Sequence, residues 1–360
     1  MNDSTGKYLG QTVDVKPAHR IDAARLDAWL AGNVPGYAGP LTIRQFEGGQ
    51  SNPTYLLETP RRKYVMRRKP PGVLLKSAHA VDREFRVMKA LGEHGFPVPQ
   101  MLALCEDESV IGTMFYLMAH VPGRVFLDNA LPDLAPDQRA AVYDSVNETL
   151  ARLHSFDYAA LGLGDFGRPG NYFERQIKRW SQQYEASRTD DIPEMERLIE
   201  WLPTAIPQTA ERSCVIHGDY SLHNLLVDPQ RPKVVAVIDW ELSTIGHPFG
   251  DLMYHMMEWY RPPGIDPRGT LRGRDLKALG IPDFDAYVAR YCERTGLSLD
   301  RAALGFHRAY NLFRVAAILQ GVAGRLRDGT AASANAAEMG TRVRPLAQAA
   351  WNEAREVGAA

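Results

Sequence analysis

The feature that most constrains the fold is a change in hydrophobic period along the chain. The first part contains short runs rich in β-branched and aromatic residues, separated by Gly, Pro, Asn and Arg turns, at 41–46, 55–58, 63–68, 101–104 and 114–118. They predict an antiparallel sheet of about five strands. Beyond residue 123 apolar residues recur with the period of a helix, over 137–156, 172–184, 194–202, 285–295 and 303–327. The pattern predicts an α+β protein.

Length and charge narrow the possibilities further. A chain of 360 residues exceeds one compact domain, so we predict two lobes, at 1–118 and 119–360. The one main helix of the first lobe is predicted over 80–94, with a glycine just past its end. A formal net charge of −1 gives no electrostatic reason to expect nucleic acid or an anionic membrane as partner.

Two further features predict a cytoplasmic protein. No apolar run is long enough to cross a membrane, and the first ten residues lack the apolar core of a secretory signal. The 3 cysteines, Cys105, Cys214 and Cys292, are widely spaced. This spacing favours buried reduced thiols over a disulfide framework or a zinc site.

The chemistry of the sequence is concentrated in a polar loop between two runs rich in Val and Ile. Asp219 follows the first run, Asn224 comes five residues later, and Asp239 ends the second run. Phosphoryl transfer needs a carboxylate that orients the attacking hydroxyl and accepts its proton, and it needs oxygen ligands for Mg²⁺ on the ATP phosphates. We therefore predict Asp219 as the catalytic base, and Asn224 and Asp239 as the metal ligands.

Other interpretations of the same loop are weaker. His-Gly-Asp alone is a plausible turn, but the full spacing over two neighbouring strands favours a functional site. A nuclease-type metal centre would place a carboxylate where Asn224 stands. We expect His217 to hydrogen-bond within the loop, and His223 to serve in packing or solvent contact.

The nucleotide site is predicted at the loop that joins the first two strands. Glycines allow close approach of backbone N–H groups to phosphate, although Gly-Gly is also an ordinary hairpin turn. The predicted nucleotide-binding residues here are Gly48, Gly49, Ser51 and Asn52. No Walker A motif is present, so a P-loop fold is disfavoured.

The third strand supplies a cation for the phosphates. By the two-residue period of a strand, Arg67 points to one face and Arg68 to the other. We predict Arg67 as the inward cation and Glu84, on the following helix, as its partner; the alternative is that both are solvated surface charges. The segment 114–121, with Met118, is expected to form the edge strand and the connector that receives adenine.

Together these motifs resemble the aminoglycoside phosphotransferase and choline kinase-like family, relatives of the protein kinases. The resemblance covers residues 40–260 and includes IHGD at 216–219, VIDWE at 237–241 and GHP at 246–248. It implies a protein kinase-like bilobal fold, with a β-rich N-lobe, a mostly helical C-lobe and ATP between them. It also implies a structural role for Asp251, tying the loop after the metal ligand to the next helix.

Departures from the protein-kinase pattern favour a small-molecule acceptor. Trp-Glu follows Asp239 where protein kinases have Phe-Gly, the phosphate cation is an arginine, and no Ala-Pro-Glu marker is present. The stretch 64–85 looks like the kinase domain associated with acyl-CoA dehydrogenases, which implies a hydroxyacyl-CoA acceptor and a functional link to such a dehydrogenase.

The charge of one region supports the same acceptor. Between Arg261 and Arg327 there are 11 Arg and 1 Lys against 5 Asp and 1 Glu, an excess that suits a polyanionic CoA thioester. Aminoglycoside or other amino-alcohol phosphorylation is the alternative. A protein kinase and a nucleotide-binding pseudokinase are the candidates from other classes.

Overall fold

A computed structural model describes residues 10–47, 52–71, 80–208, 212–266, 268–330 and 336–360. The chain forms two compact units. The first contains the described part of Met1–Leu127 together with Ala159–Phe166 and Leu222–Ser243, and the second contains Asp128–Tyr158, Gly167–Ser221 and the described part of Thr244–Ala360. The lobe boundary predicted between residues 118 and 119 stays a prediction.

The first unit is built on an antiparallel sheet of six strands. They are β1 (Thr12–Val13), β2 (Thr42–Phe46), β3 (Thr54–Glu58), β4 (Lys63–Arg68), β5 (Met101–Cys105) and β6 (Phe115–Ala119). Their order across the sheet is β1-β2-β3-β4-β6-β5. The sheet thus exceeds the predicted five strands by the short β1, whose two residues are too few for a periodic signal.

The predicted position of one strand is wrong. β6 lies between β4 and β5, so the strand expected at the edge of the sheet is interior, and β5 forms that edge. The composition of β6 explains this position, because it reads FYLMA and its first four residues are buried. An uninterrupted apolar run fits a strand covered on both faces.

Two helices accompany the sheet. They are α1 (Ala23–Asn33) and α2 (Val81–Glu93), the second within a residue of the predicted bounds at each end. Leu26 and Leu30 of α1 are fully buried in a core with Tyr55 and Phe115 of the sheet. Gly95, just past α2, has a φ of +75°, a conformation in which glycine meets no steric penalty.

A small strand pair completes the first unit. β8 (Leu225–Val227) pairs antiparallel with β9 (Val234–Val237). The pair is attached to the preceding part of the unit, since the Val237 N–H donates to the Pro97 carbonyl over 2.8 Å and Trp240 makes an edge-to-face contact with Phe96.

The second unit is mainly helical. Its longer helices are α3 (Pro136–Ser155), α4 (Tyr172–Ser187), α5 (Pro193–Trp201), α6 (Pro248–His255), α9 (Phe284–Thr295), α10 (Arg301–Arg327) and α12 (Val343–Arg355). Short helices, α7 (Met257–Tyr260), α8 (Leu276–Leu279) and α11 (Ala336–Thr341), lie between them. Strands β7 (Cys214–Ile216) and β10 (Thr244–Gly246) pair antiparallel within this unit.

Close packing explains one glycine of this pair. A Cβ on Gly246 would lie 2.5 Å from the Ile216 side chain and 2.8 Å from the Tyr172 ring, so β10 can approach β7 only with glycine at this position. Among the described residues no helix is both long enough and apolar enough to cross a membrane.

Candidate active site

The two predicted metal ligands occupy adjacent ends of the β8–β9 pair. Asn224 immediately precedes β8 and Asp239 follows β9 by two residues. Leu225 pairs with Val237, and the Ile238 N–H donates to the Asn224 carbonyl over 3.0 Å. The register therefore brings the two residues close together, as predicted.

Asp239 adopts a backbone conformation that few side chains accept. Its φ is +66°, in the left-handed region. This conformation costs a non-glycine residue roughly 1–3 kcal/mol, and it persists where the surrounding structure enforces it. Such residues cluster at functional sites, which supports a functional position for this carboxylate.

A buried arginine gathers three carboxylates in the first unit. The Arg67 Nη2 lies 2.8 Å from the Asp239 Oδ1 and 3.3 Å from the Glu241 Oε2, and its Nε lies 3.4 Å from the Glu84 Oε2. Arg68 points to the opposite face, where it donates to the Ile111 carbonyl over 3.2 Å. The period of the strand thus predicted which arginine faces the carboxylates.

The electrostatics of this group are dominated by burial and by negative charge. Burial alone lowers the pKa of Arg67, but Glu84, Asp239 and Glu241 outweigh it and the pKa is raised, so the guanidinium stays charged. Burial, assisted by Asp239 and Glu241 and opposed by Arg67, raises the pKa of Glu84 to about 7. The cluster therefore holds more carboxylates than one cation satisfies.

Glu84 is fixed by two further hydrogen bonds. The Asn52 amide donates to its Oε1 over 3.0 Å, and the Tyr116 hydroxyl donates to its Oε2 over 3.1 Å. Asn52, predicted at the nucleotide site, therefore contacts the predicted Arg67–Glu84 pair. The predicted Gly48, Gly49 and Ser51 lie outside the described residues.

A cavity of about 440 Å³ opens beside this cluster, and all its lining residues belong to the first unit. Arg67, Asn224 and Asp239 line it, together with Met118 and His223. The remaining lining is largely apolar, with side chains such as Val65, Met88, Pro99, Val121, Leu226 and Ile238. An apolar cavity with a few convergent polar groups is the usual form of a small-molecule site.

These residues fit the groups that the sequence implies. An amide oxygen and a carboxylate are hard oxygen donors, and Mg²⁺ in nucleotide sites takes one or two such protein ligands and keeps water and phosphate for the rest. The described residues contain no cluster of three His, Cys, Asp or Glu side chains that could hold a metal ion. The cavity thus combines an apolar wall with Arg67 and the two oxygen donors.

The loop that carries Asp219 belongs to the second unit and is held by Asp251 of α6. The Asp251 carboxylate accepts the His217 N–H over 2.7 Å and the Gly218 N–H over 2.8 Å, and it lies 3.3 Å from the His154 Nε2. Asp251 thus ties α6 to the loop that precedes Asp219. The resemblance implies a different partner, namely the loop that follows Asp239. Residue 218 has a φ of +84°, a conformation that favours glycine, which explains why Gly218 stands at this position.

Asp219 itself is half-buried and contacted from several directions. Its N–H donates to the His217 Nδ1 over 3.2 Å, in agreement with the loop hydrogen bond expected of that histidine. Tyr254 lies near enough that the charge of Asp219, after burial, raises the pKa of its hydroxyl. The Arg314 Nη2 donates to the carbonyl of the preceding Gly218 over 2.7 Å.

Sequence reasoning missed four of these neighbours. Tyr116 lies inside the predicted strand 114–118, and Glu241 directly follows Asp239-Trp240, so the sequence already indicated that Glu241 lies near Asp239. Tyr254 lies in α6, three residues after Asp251, and Arg314 lies in α10. Nothing in the local sequence pattern connects either of them to residue 219.

The cationic region 261–327 is largely engaged in ion pairs. Arg261 contacts Glu258 and Asp266 at 2.6 and 3.1 Å, and Arg308 contacts Glu353 at 3.0 Å. The nominal excess of arginines therefore overstates the positive charge available to an acceptor.

Comparison with known proteins defines the class. A family model described as the phosphotransferase enzyme family matches residues 42–287. The chain belongs to this family, and it is a small-molecule kinase that acts on hydroxyl groups.

Two relatives place the chain more narrowly. It is 44% identical over 355 residues to acyl-CoA dehydrogenase family member 10 of Mus musculus, covering 98% of this chain and 33% of the relative. It is 42% identical over 342 residues to family member 11 of Gallus gallus, covering 94% and 44%. The chain thus spans less than half the length of these relatives.

Solved structures confirm the predicted fold. A Ralstonia eutropha protein assigned to the aminoglycoside phosphotransferases shares 50% identity with a TM-score of 0.85, covering 94% of this chain and 99% of that one. The choline kinase of Cryptosporidium parvum, 13% identical, superimposes with a TM-score of 0.62 over 93% and 96% of the two chains. The α+β, protein kinase-like fold is therefore established.

Proposed function

We propose that this chain transfers the γ-phosphoryl group of ATP to the hydroxyl of a hydroxyacyl-CoA, with Mg²⁺ as the metal. The observation that carries the proposal is the cavity bordered by Arg67, Asn224 and Asp239, in which a buried cation and two oxygen donors meet an apolar wall. Bound Mg²⁺ would neutralise charge on the phosphates. We expect the enzyme to act in the cytoplasm.

In this proposal each residue has a defined part. Asp219 accepts the proton of the acceptor hydroxyl while the oxygen of that hydroxyl forms a bond to the γ-phosphorus. The bond between that phosphorus and the β,γ-bridging oxygen breaks, which releases ADP and a phosphate monoester. Arg67, held by Glu84, binds the phosphates, while Asn224 and Asp239 hold the metal.

The CoA acceptor is supported by the relatives. Proteins named as acyl-CoA dehydrogenases contain a segment about 40% identical to nearly the whole of this chain. A kinase joined to such an enzyme, or working with it, has acyl-CoA compounds as its natural substrates. The second candidate, phosphorylation of an aminoglycoside, is favoured by the name of the relative with 50% identity from Ralstonia eutropha.

The decisive test is an ADP-release screen of the purified protein with Mg-ATP. Acceptors should include 3- and 4-hydroxyacyl-CoAs, aminoglycosides and choline. The saturated acyl-CoA without a hydroxyl is the matched control, because it keeps the CoA and lacks only the reacting group. ADP release with hydroxyacyl-CoA alone supports the proposal. Release with an aminoglycoside alone selects the second candidate, and ATP binding without turnover on any acceptor identifies a pseudokinase.

Replacing the base separates chemistry from binding. Asp219→Asn should lower kcat by about 10³-fold, within the range for loss of a general base, and leave ATP affinity unchanged. Calorimetric titration with Mg-ATP measures the affinity. A large loss of nucleotide affinity in this variant would remove Asp219 from the role of base.

A further inference from the structure

The loop that carries Asp219 is contacted by side chains of two helices distant in sequence. Tyr254 belongs to α6 and Arg314 to the middle of α10. Both lie in the second unit with the loop itself. Neither belongs to a motif of the sequence, so the fold alone brings them to this position.

Arg314 provides a buried cation beside the loop. Its residue is 5% exposed, and its Nη2 donates to the Gly218 carbonyl over 2.7 Å. The guanidinium lies over the rings of Tyr254 and Trp180, with 5.0 and 5.8 Å to their centroids. Burial alone lowers the pKa of Arg314, but neighbouring tyrosines and Asp219 outweigh it, so the group stays charged.

Tyr254 places a protonated hydroxyl near the carboxylate. Burial, and then the charge of Asp219, raise the pKa of Tyr254, so the phenol stays protonated and can donate a hydrogen bond. The Arg314 guanidinium packs on the face of the Tyr254 ring in a cation–π contact. The orientation of the donor is therefore determined by the arginine.

We propose that Arg314 and Tyr254 are positioning residues for the catalytic carboxylate: Arg314 holds the Gly218 peptide and the Tyr254 ring, and Tyr254 holds the carboxylate of Asp219. The inference rests on the proposed function, in which Asp219 accepts the proton of the acceptor. A half-buried carboxylate on a loop has several rotamers, and two fixed contacts select the one that faces the acceptor.

The surroundings of Asp219 make these contacts specific. Among the described residues of the second unit, the charged and titratable groups that face it include His217 in the same loop, Tyr254 on α6 and Arg314 on α10. Arg268, held by Asp266 at 2.8 Å, acts on Tyr254 from the loop after α7. Removing the Tyr254 hydroxyl therefore removes a nearby donor while the neighbouring cations remain.

The kinetic test compares two tyrosine variants. Tyr254→Phe should lower kcat about tenfold, leave the KM for ATP unchanged, and move the acid limb of the pH–rate profile to higher pH, because the charged carboxylate loses a hydrogen bond. Tyr260→Phe is the matched control, since its buried hydroxyl donates to the Met253 carbonyl over 2.7 Å, away from Asp219. Equal kcat and an unmoved acid limb in Tyr254→Phe would overturn the proposal.

The arginine is tested without any acceptor. Hydrogen exchange of the unliganded full chain should be faster by tenfold or more at the amides of 217–219 in Arg314→Met, and closer to wild type in Arg314→Lys, which keeps the cation. Unchanged exchange in Arg314→Met would contradict the proposed role of Arg314 in holding the Gly218 peptide. Absence of phosphotransfer in the wild-type protein contradicts the proposed function instead, so the two failures are distinguishable.

Discussion

One carboxylate site in each unit shows two different ways of matching negative charge. In the first unit Glu84, Asp239 and Glu241 converge on the single guanidinium of Arg67. In the second, Asp251 stands alone and is met by two backbone N–H groups and His154. One group carries an excess of negative charge, and the other is matched to its donors.

The pKa shifts express this difference. Burial alone raises the pKa of Asp251, but its hydrogen bond with His154 and the nearby His217 outweigh burial, so the pKa is lowered. In the first unit burial and the neighbouring carboxylates raise the pKa of Glu84 to about 7. The comparison teaches that Asp251 is matched by its donors, whereas Glu84 has a perturbed pKa beside like charges, a situation that clusters at functional sites.

The largest effect should come from breaking the matched carboxylate. Asp251→Ala removes the acceptor of two buried N–H groups, and we expect a loss of about 3–5 kcal/mol in the free energy of unfolding, measured by urea denaturation. Asp275→Ala is the control, since this exposed aspartate caps a short helix and should cost about 1 kcal/mol. Equal losses in the two variants would contradict a special role of Asp251.

Acid should affect the buried histidines His247 and His255 and the carboxylate of Glu84 with opposite sign. Burial lowers the pKa of both His247 and His255 to about 4 from the ordinary 6.5, so the unfolded chain binds protons first and stability falls as the pH drops below 6.5. At pH 5 each histidine should cost ~2 kcal/mol relative to pH 7.5. Glu84 has a raised pKa, so the folded state binds its proton first and its contribution grows as the pH falls.

Variants can isolate these contributions. Unfolding free energies at pH 7.5 and 5 should differ less in His255→Gln than in wild type, and more in Glu84→Gln. His94→Gln, at an exposed position, should leave the difference unchanged. An unchanged pH dependence in His255→Gln would show that His255 does not remain neutral in the folded protein.

The smallest effect on stability should come from the unmatched cluster. Asp239→Ala removes one of three like charges, but alanine is also strained in the left-handed backbone conformation that Asp239 adopts. The free energy of unfolding should therefore change by less than about 1 kcal/mol. The affinity for Mg-ATP should fall about tenfold or more, which calorimetry can measure. A large loss of stability with unchanged metal dependence would make Asp239 structural.

Local periodicity predicted much of the fold. The face of Arg67, the strand loop at Asn224 and Asp239, and the helix that carries Glu84 all follow from residues near in sequence. The order of the strands was not predictable from the sequence, because β6 lies between β4 and β5 although it comes after both in the chain. Tyr254 and Arg314 were not predictable, because their contacts with 218–219 depend on how α6 and α10 pack.

The first unit draws on three separate stretches of chain, and this has a consequence for biosynthesis. Its last stretch ends at Ser243, more than a hundred residues after Leu127. At ribosomal rates of about 5–20 residues per second, the sheet is synthesised many seconds before the β8–β9 pair that supplies Asn224 and Asp239. During translation, therefore, a nucleotide can assist folding only at a late stage, and a fragment that ends at Leu127 should not bind it.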